Sequence, residues 1–204
     1  MFEVKDHQLC RDGNPVVQVH SPNRGAEMHP SLLVMHYTGS SSTGGAIRTL
    51  TDGEAANRVS AHLIISPEGD IMQLVPFNLV AWHAGISVWR SREFCNSFSI
   101  GIEMVNSGLL GRAANGIYYD RLTHKHIDPR QVALAEHKHG GGVLPWEIYP
   151  TAQIDAAIGA ATAIVKAYGI KDIAGHDDIS PGRKIDPGPA WPMVSFASRV
   201  LGRQ

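Results

Sequence analysis

Cysteine is scarce: Cys10 and Cys95 are the only two in 204 residues. Two thiols build neither a disulfide framework nor a cysteine-based zinc site. Two reduced thiols are the simplest state, and one long-range disulfide is the alternative. Long apolar runs are also missing. No stretch approaches the roughly 18 apolar residues of a membrane-spanning helix, so no membrane insertion is expected. The first residues, Met1-Phe-Glu-Val-Lys-Asp-His-Gln8, hold no apolar core of signal-peptide length. The expectation is a chain that stays in the cytoplasm or leaves by a route it does not encode. Excess charge is lacking as well. The formal net charge is −1 and no basic run occurs, which removes the footprint of a nucleic-acid binder. No internal repeat, low-complexity segment or linker interrupts the chain.

What is present suits one globular domain over residues 1–204. Hydrophobic residues make up 43% and charged residues 18%, enough for a sizeable core. Eleven histidines are many for this length, so their positions matter.

Residues 1–31 are polar and turn-rich and read as an irregular lead-in, with one short strand at Val16–Val19. Leu32-Leu-Val-Met-His-Tyr-Thr38 is a continuous apolar run and predicts a strand buried on both faces. His36 stands at its end, either as a satisfied core residue or as a ligand. A short helix is expected over 44–53, and strands at Ala61–Ile65 and Ile71–Val75 around the turn Ser66–Asp70. Phe98–Val105 is another buried strand pattern, with Glu103 as its exception. A carboxylate in an apolar strand is costly unless paired, protonated or functional. A salt bridge and a general base are the two readings.

Residues 107–148 resemble an insertion. Asp128-Pro129 can cap a short helix, and Val132–Lys138 alternates like a strand. The pairs His124-Lys-His126 and His137-Lys-His139 read as solvated loop residues rather than as a metal site, because no third ligand type is spaced with them. Thr151–Tyr168 is the clearest helix. Pro150 precedes it, Thr151 can cap it and Gly169 can end it. Ile154, Ala157, Ile158, Ala161, Val165 and Tyr168 share one face. A final short helix is expected over Pro192–Leu201.

Between these helices lies Gly175-His-Asp-Asp-Ile-Ser-Pro-Gly-Arg-Lys-Ile-Asp-Pro-Gly-Pro189. Its prolines and glycines predict a stiff loop that is neither helix nor regular strand. It carries His176, Lys184 and Asp186. With His36, these supply two imidazoles and a carboxylate, a donor set suited to Zn²⁺ without cysteine. Such an ion lowers the pKa of its water toward ~7 and polarises a carbonyl. Glu103 would move the proton, and Lys184 would stabilise a developing oxyanion.

Five motifs now stand in order: Leu33–Gly39, Ser60–Ile64, Ala81-Trp-His-Ala-Gly85, Asn96–Glu103 and Gly175–Pro189. Together they resemble the zinc-dependent N-acetylmuramoyl-L-alanine amidases, a family that includes anhydro-muropeptide and phage lysozyme-type enzymes and is related to peptidoglycan recognition proteins. The resemblance covers about residues 30–106 and 150–192. It implies a mixed α+β fold, with a central mixed sheet flanked by helices and a zinc groove at the sheet end. It implies one Zn²⁺ per chain, held by His36, His176 and Asp186, with Glu103 and Lys184 catalytic. Trp82 and His83 fall in a motif near the groove and are substrate-side candidates; His62 falls in a strand motif. The implied substrate is peptidoglycan or a muropeptide, cut between N-acetylmuramic acid and L-alanine. A cytoplasmic recycling enzyme and a phage-type enzyme released to the wall by a partner both fit. A non-catalytic recognition module and a zinc peptidase acting within the stem peptide are the competing readings.

Overall fold

The computed structural model describes residues 1–202. A six-stranded mixed sheet forms its centre, in the spatial order Asp172–Gly175, Leu32–Tyr37, Ser99–Met104, Leu63–Ile65, Ile71–Gln73, Val17–Gln18. The first four strands in that order run parallel to one another. Ile71–Gln73 runs antiparallel to Leu63–Ile65, and Val17–Gln18 runs parallel to Ile71–Gln73.

Both faces of the sheet are covered, which explains the unbroken apolar runs. Leu33, Met35, Ile100, Ile102 and Met104 face a core shared with helices α2 (Thr151–Tyr168) and α4 (Met193–Leu201). On the opposite face Ile64 packs with Ala46 and Leu50 of α1 (Thr43–Thr51). Leu32 and Val34 pack there with Ala84, Cys95 and Phe98. Each fully buried Leu or Ile contributes roughly 1.5–3 kcal/mol to this sandwich.

Helix α2 has the predicted bounds, and Gly169 closes it in the left-handed conformation. Two details differ. Pro150 takes the N-cap position without a side-chain cap, so Thr151 is the first helical residue rather than the cap. The buried stripe centres on Ala157, Ala160, Ala161 and Ile164, while Ile154, Ile158, Val165 and Tyr168 flank it. Small alanines let the helix approach the sheet closely. Gln153 is buried in that stripe and donates to the Ile65 and Val105 carbonyls at 2.9 and 3.0 Å.

The lead-in is more regular than its composition suggested. Phe2–Lys5 and Gln8–Arg11 form an antiparallel pair, extended by Asn14–Pro15. Val17–Gln18 becomes the edge of the central sheet, and Arg24–Glu27 pairs with Leu79–Ala81. The turns explain why it was missed: Asp6, His7 and Asp12 all adopt positive φ, so polar turn residues sit inside tight hairpins.

Residues 107–148 are built from small sheets. Gly111–Arg112, Tyr118–Tyr119 and His126–Ile127 form one, and Val132–Glu136 pairs with Val143–Glu147 in a hairpin. Both signals in the sequence were real: Asp128 caps a 3-10 turn at Pro129–Gln131, and the strand follows it. The stiff loop also needs correction, because its start is a one-turn helix, α3 (His176–Ile179). Asp178 closes that turn by accepting from the Gly175 N–H at 2.7 Å. Cys10 and Cys95 are both buried and free. Among the described residues, no helix is long and apolar enough to cross a membrane.

Candidate metal centre

The register of the parallel strands assembles the site. Glu103 pairs with His36, and Gly175 pairs with Met35, which puts His176 just beyond the next strand end. Three carboxyl ends of adjacent parallel strands thus carry His36, Glu103 and His176. Open sheets bind ligands at such ends.

The loop returns Asp186 to the same point. His36 Nδ1 lies 2.9 Å from His176 Nδ1 and 3.0 Å from Asp186 Oδ2, and His176 Nδ1 lies 2.9 Å from Asp186 Oδ2. All three residues are buried. They form the one cluster, among the described residues, that could hold a metal ion.

The surrounding hydrogen bonds assign the tautomers. His176 Nε2 lies 3.1 Å from the Ala84 carbonyl, so it carries the proton and leaves Nδ1 bare. Arg183 Nη2 approaches the same nitrogen at 3.4 Å, but its 2.7 Å bonds go to the oxygens of Ala84, Ile86 and Ser180. His83 Nε2 faces the Ser99 carbonyl at 3.3 Å and donates, so His83 Nδ1 is an acceptor. His36 Nε2, 2.9 Å from that Nδ1, must then donate, and His36 Nδ1 is bare too. Two imidazole lone pairs and a carboxylate oxygen therefore converge with no proton assigned between them. That arrangement is repulsive by itself and suits a divalent cation.

The electrostatics agree. Burial, with the neighbouring His176, pushes His36 down to about 4. Burial works to raise Asp186, and it is only with a proton on a facing imidazole, or a cation in its place, that the carboxyl is held well below the usual range. Neutral imidazole and ionised carboxylate are the ligand forms metals take.

Glu103 borders the same cleft. Its Oε2 is buried with no hydrogen-bond partner. Burial and then the Asp186 charge push it up to about 8, against the pull of Lys184. Lys184 lines the cleft as well. Trp82 forms part of the wall, with the Arg58 guanidinium 5.2 Å from its ring. His83 reaches the cleft edge but spends its ring on His36. It fits there because Gly101 has no side chain: a Cβ would lie 2.5 Å from the ring. His62 is structural in form. It accepts from the Gly101 N–H at 3.1 Å and donates to the Leu79 carbonyl at 2.9 Å.

The cleft, of about 730 Å³, also draws on residues that the sequence did not single out, two of them, Tyr37 and Ile185, inside its motifs. Tyr37, Arg48, Val59, Leu122 and Ile185 line it. Leu122 is placed by Asp120, whose buried carboxylate accepts from the backbone N–H groups of Ser41, Leu122 and Thr123 and from Ser107 Oγ. His137, expected in solvent, is buried, and His139 bonds to the Asp177 carbonyl. His126 remains exposed.

A family model described as N-acetylmuramoyl-L-alanine amidase matches residues 26–189. The 1,6-anhydro-N-acetylmuramyl-L-alanine amidase AmpD of Escherichia coli (strain K12) is 35% identical over 146 residues, covering 71% of this chain and 58% of that protein. The N-acetylmuramoyl-L-alanine amidase AmiD of the same organism is 33% identical over 180 residues, covering 84% and 53%. The matches thus span little more than half the length of these two relatives. The structure of E. coli AmiD in complex with anhydro-N-acetylmuramic acid-L-Ala-D-gamma-Glu-L-Lys superposes with a TM-score of 0.63 at 30% identity, over 97% of this chain and 65% of that one.

Proposed function

The chain belongs to the N-acetylmuramoyl-L-alanine amidase family, and we propose that it hydrolyses the amide between the lactyl group of N-acetylmuramic acid, or its anhydro form, and the L-alanine of the stem peptide. His36, His176 and Asp186 would hold one Zn²⁺ per chain. The observation that carries this reading is the convergence of three ligand atoms, from His36, His176 and Asp186, beside Glu103, whose buried Oε2 has no partner. When bound, zinc supplies Lewis acidity toward a carbonyl oxygen and makes water a nucleophile at neutral pH.

The chain's own groups do the rest. Glu103, in the ionised form that a cation offsetting the Asp186 charge would favour, takes a proton from the attacking water and returns it to the departing L-alanine nitrogen. Its free Oε2 leaves an acceptor position available for that exchange. Lys184 sets a fixed positive charge in the cleft, where negative charge develops on the former carbonyl oxygen. His83 keeps the His36 ring in one orientation and one tautomer. Trp82 and the Asp120-anchored Leu122 give the cleft apolar walls for sugar and peptide.

An anhydromuramyl peptide is the favoured substrate, because AmiD, whose complex contains one, shares this fold over nearly the whole chain. The test offers zinc-loaded protein both a soluble anhydromuramyl tripeptide and intact peptidoglycan, with products read by mass. Free peptide beginning with L-alanine is the expected product, and its source ranks the substrates. Binding without any cleavage would favour a recognition module instead. Cleavage inside the stem peptide would identify a peptidase.

A further inference from the structure

The hairpin Val132–Glu147 lies outside the motifs that carry the family resemblance, yet it grips the metal-ligand loop at both ends. At the first end, His137 and Asp177 are both buried. His137 Nδ1 accepts from the His139 N–H at 3.2 Å, so its Nε2–H is the donor to Asp177 Oδ2, at 2.9 Å. Lys138 Nζ lies 2.9 Å from Asp177 Oδ1 and donates to Asp178 Oδ1 at 2.6 Å. His139 Nε2 donates to the Asp177 carbonyl at 3.0 Å. Three consecutive hairpin residues therefore hold the two residues that follow His176. Asp177 in turn donates its backbone N–H to the Asp186 carbonyl at 2.8 Å. One residue thus couples the hairpin to both ligands of the loop.

At the second end, Trp146 is buried against Gly188, where a Cβ would lie 2.8 Å from the indole. Its Nε1–H donates to the Ala135 carbonyl at 3.1 Å, and its ring stacks on His137 at 6.0 Å between centroids. The indole links the two hairpin strands and the far side of the loop.

The geometry points to His137, Lys138 and His139 as positioning residues that set how tightly the loop binds its metal, acting through Asp177. Polar groups hydrogen-bonded directly to metal ligands typically change affinity by 10–100-fold; His137, Lys138 and His139 stand one residue further out, so the lower end of that range applies. Here that shell comes from a separate sheet more than 35 residues away in sequence. The inference rests on the zinc reading of the site.

The test measures zinc affinity by competition with a chromophoric chelator, and zinc release into excess chelator, on the full chain. Melting of the metal-free proteins is followed in parallel. His137→Ala should weaken zinc binding by about 10-fold, the lower end of the range for groups that bond a ligand directly. His137→Gln, whose amide N–H can replace the Nε2–H, should recover most of that loss. His139→Ala changes an exposed side chain, so it should lower the metal-free melting point only slightly and lose affinity by up to about fivefold, one hydrogen bond's worth. Unchanged zinc affinity in His139→Ala and in every folded His137 variant would overturn the inference, whatever happens to stability. A wild-type chain that takes up no zinc would instead overturn the reading of the site itself, and this inference with it.

Discussion

Two sets of histidines in this molecule are equally buried and differ in one respect. At the sheet end, His36 and His176 each give one ring nitrogen to the protein and leave the other bare. His62, just before the strand Leu63–Ile65, and His137, on the hairpin, have both nitrogens satisfied. Burial does not tell a ligand from a structural histidine. The number of nitrogens already spent does. The first set should matter for metal and turnover, the second for stability and shape.

The largest effect should come from removing a bare donor. His176→Ala or Asp186→Ala is expected to drop zinc from one per chain to none and to abolish turnover, read by metal analysis and product release. Full zinc content in either variant would erase the distinction between the two sets. Next is Glu103→Gln, which should keep the metal and lose about 10²–10⁴-fold in turnover. Near-normal turnover would remove Glu103 from proton transfer.

A pH experiment sharpens the electrostatic side. Burial raises Glu103 from 4.5 to about 8. The folded metal-free chain therefore binds a proton that the unfolded chain releases between those values. The stability linked to that proton is fully present below about 4.5 and is lost as pH rises through about 8. Metal-free Glu103→Gln should escape this loss. Its advantage over wild type should grow to the order of 4 kcal/mol between pH 5 and 9, measured by denaturant unfolding. A constant gap would show that Glu103 is not the titrating group. The smallest effect is expected from the other set. His62→Ala strands the Gly101 N–H and the Leu79 carbonyl, so it should lose roughly 2–3 kcal/mol of stability while still binding zinc. Loss of zinc there would break the comparison from its other side.

The sequence exposed the site better than it exposed its supports. His36 and Glu103 stood out because each interrupts an apolar strand, where a polar residue needs a reason. The loop stood out because prolines and glycines confine it. Those are local signals, and the sheet register then joined them. The buried role of His137 had no local signal, since its partner Asp177 lies 40 residues ahead. The strands of residues 1–31 were hidden because they are short and their turns use polar residues with positive φ. The stripe of α2 was shifted because alanine weighs little in an amphipathic pattern yet is what permits close packing. Leu122 gave no hint at all, because its position depends on an Asp120 carboxylate gathering four donors from three segments.

The parallel pairing of Asp172–Gly175 with Leu32–Tyr37 bears on when activity first arises. The two strands are separated by most of the chain, and His36 meets His176 across 140 positions. Contacts of such long range form late, because the intervening chain must be ordered before they can close. A ribosome-bound chain that lacks this last strand has His36 and Glu103 but neither His176 nor Asp186. The proposed amidase activity would therefore arise only once this strand has joined the central sheet, so hydrolysis itself could report that folding is complete.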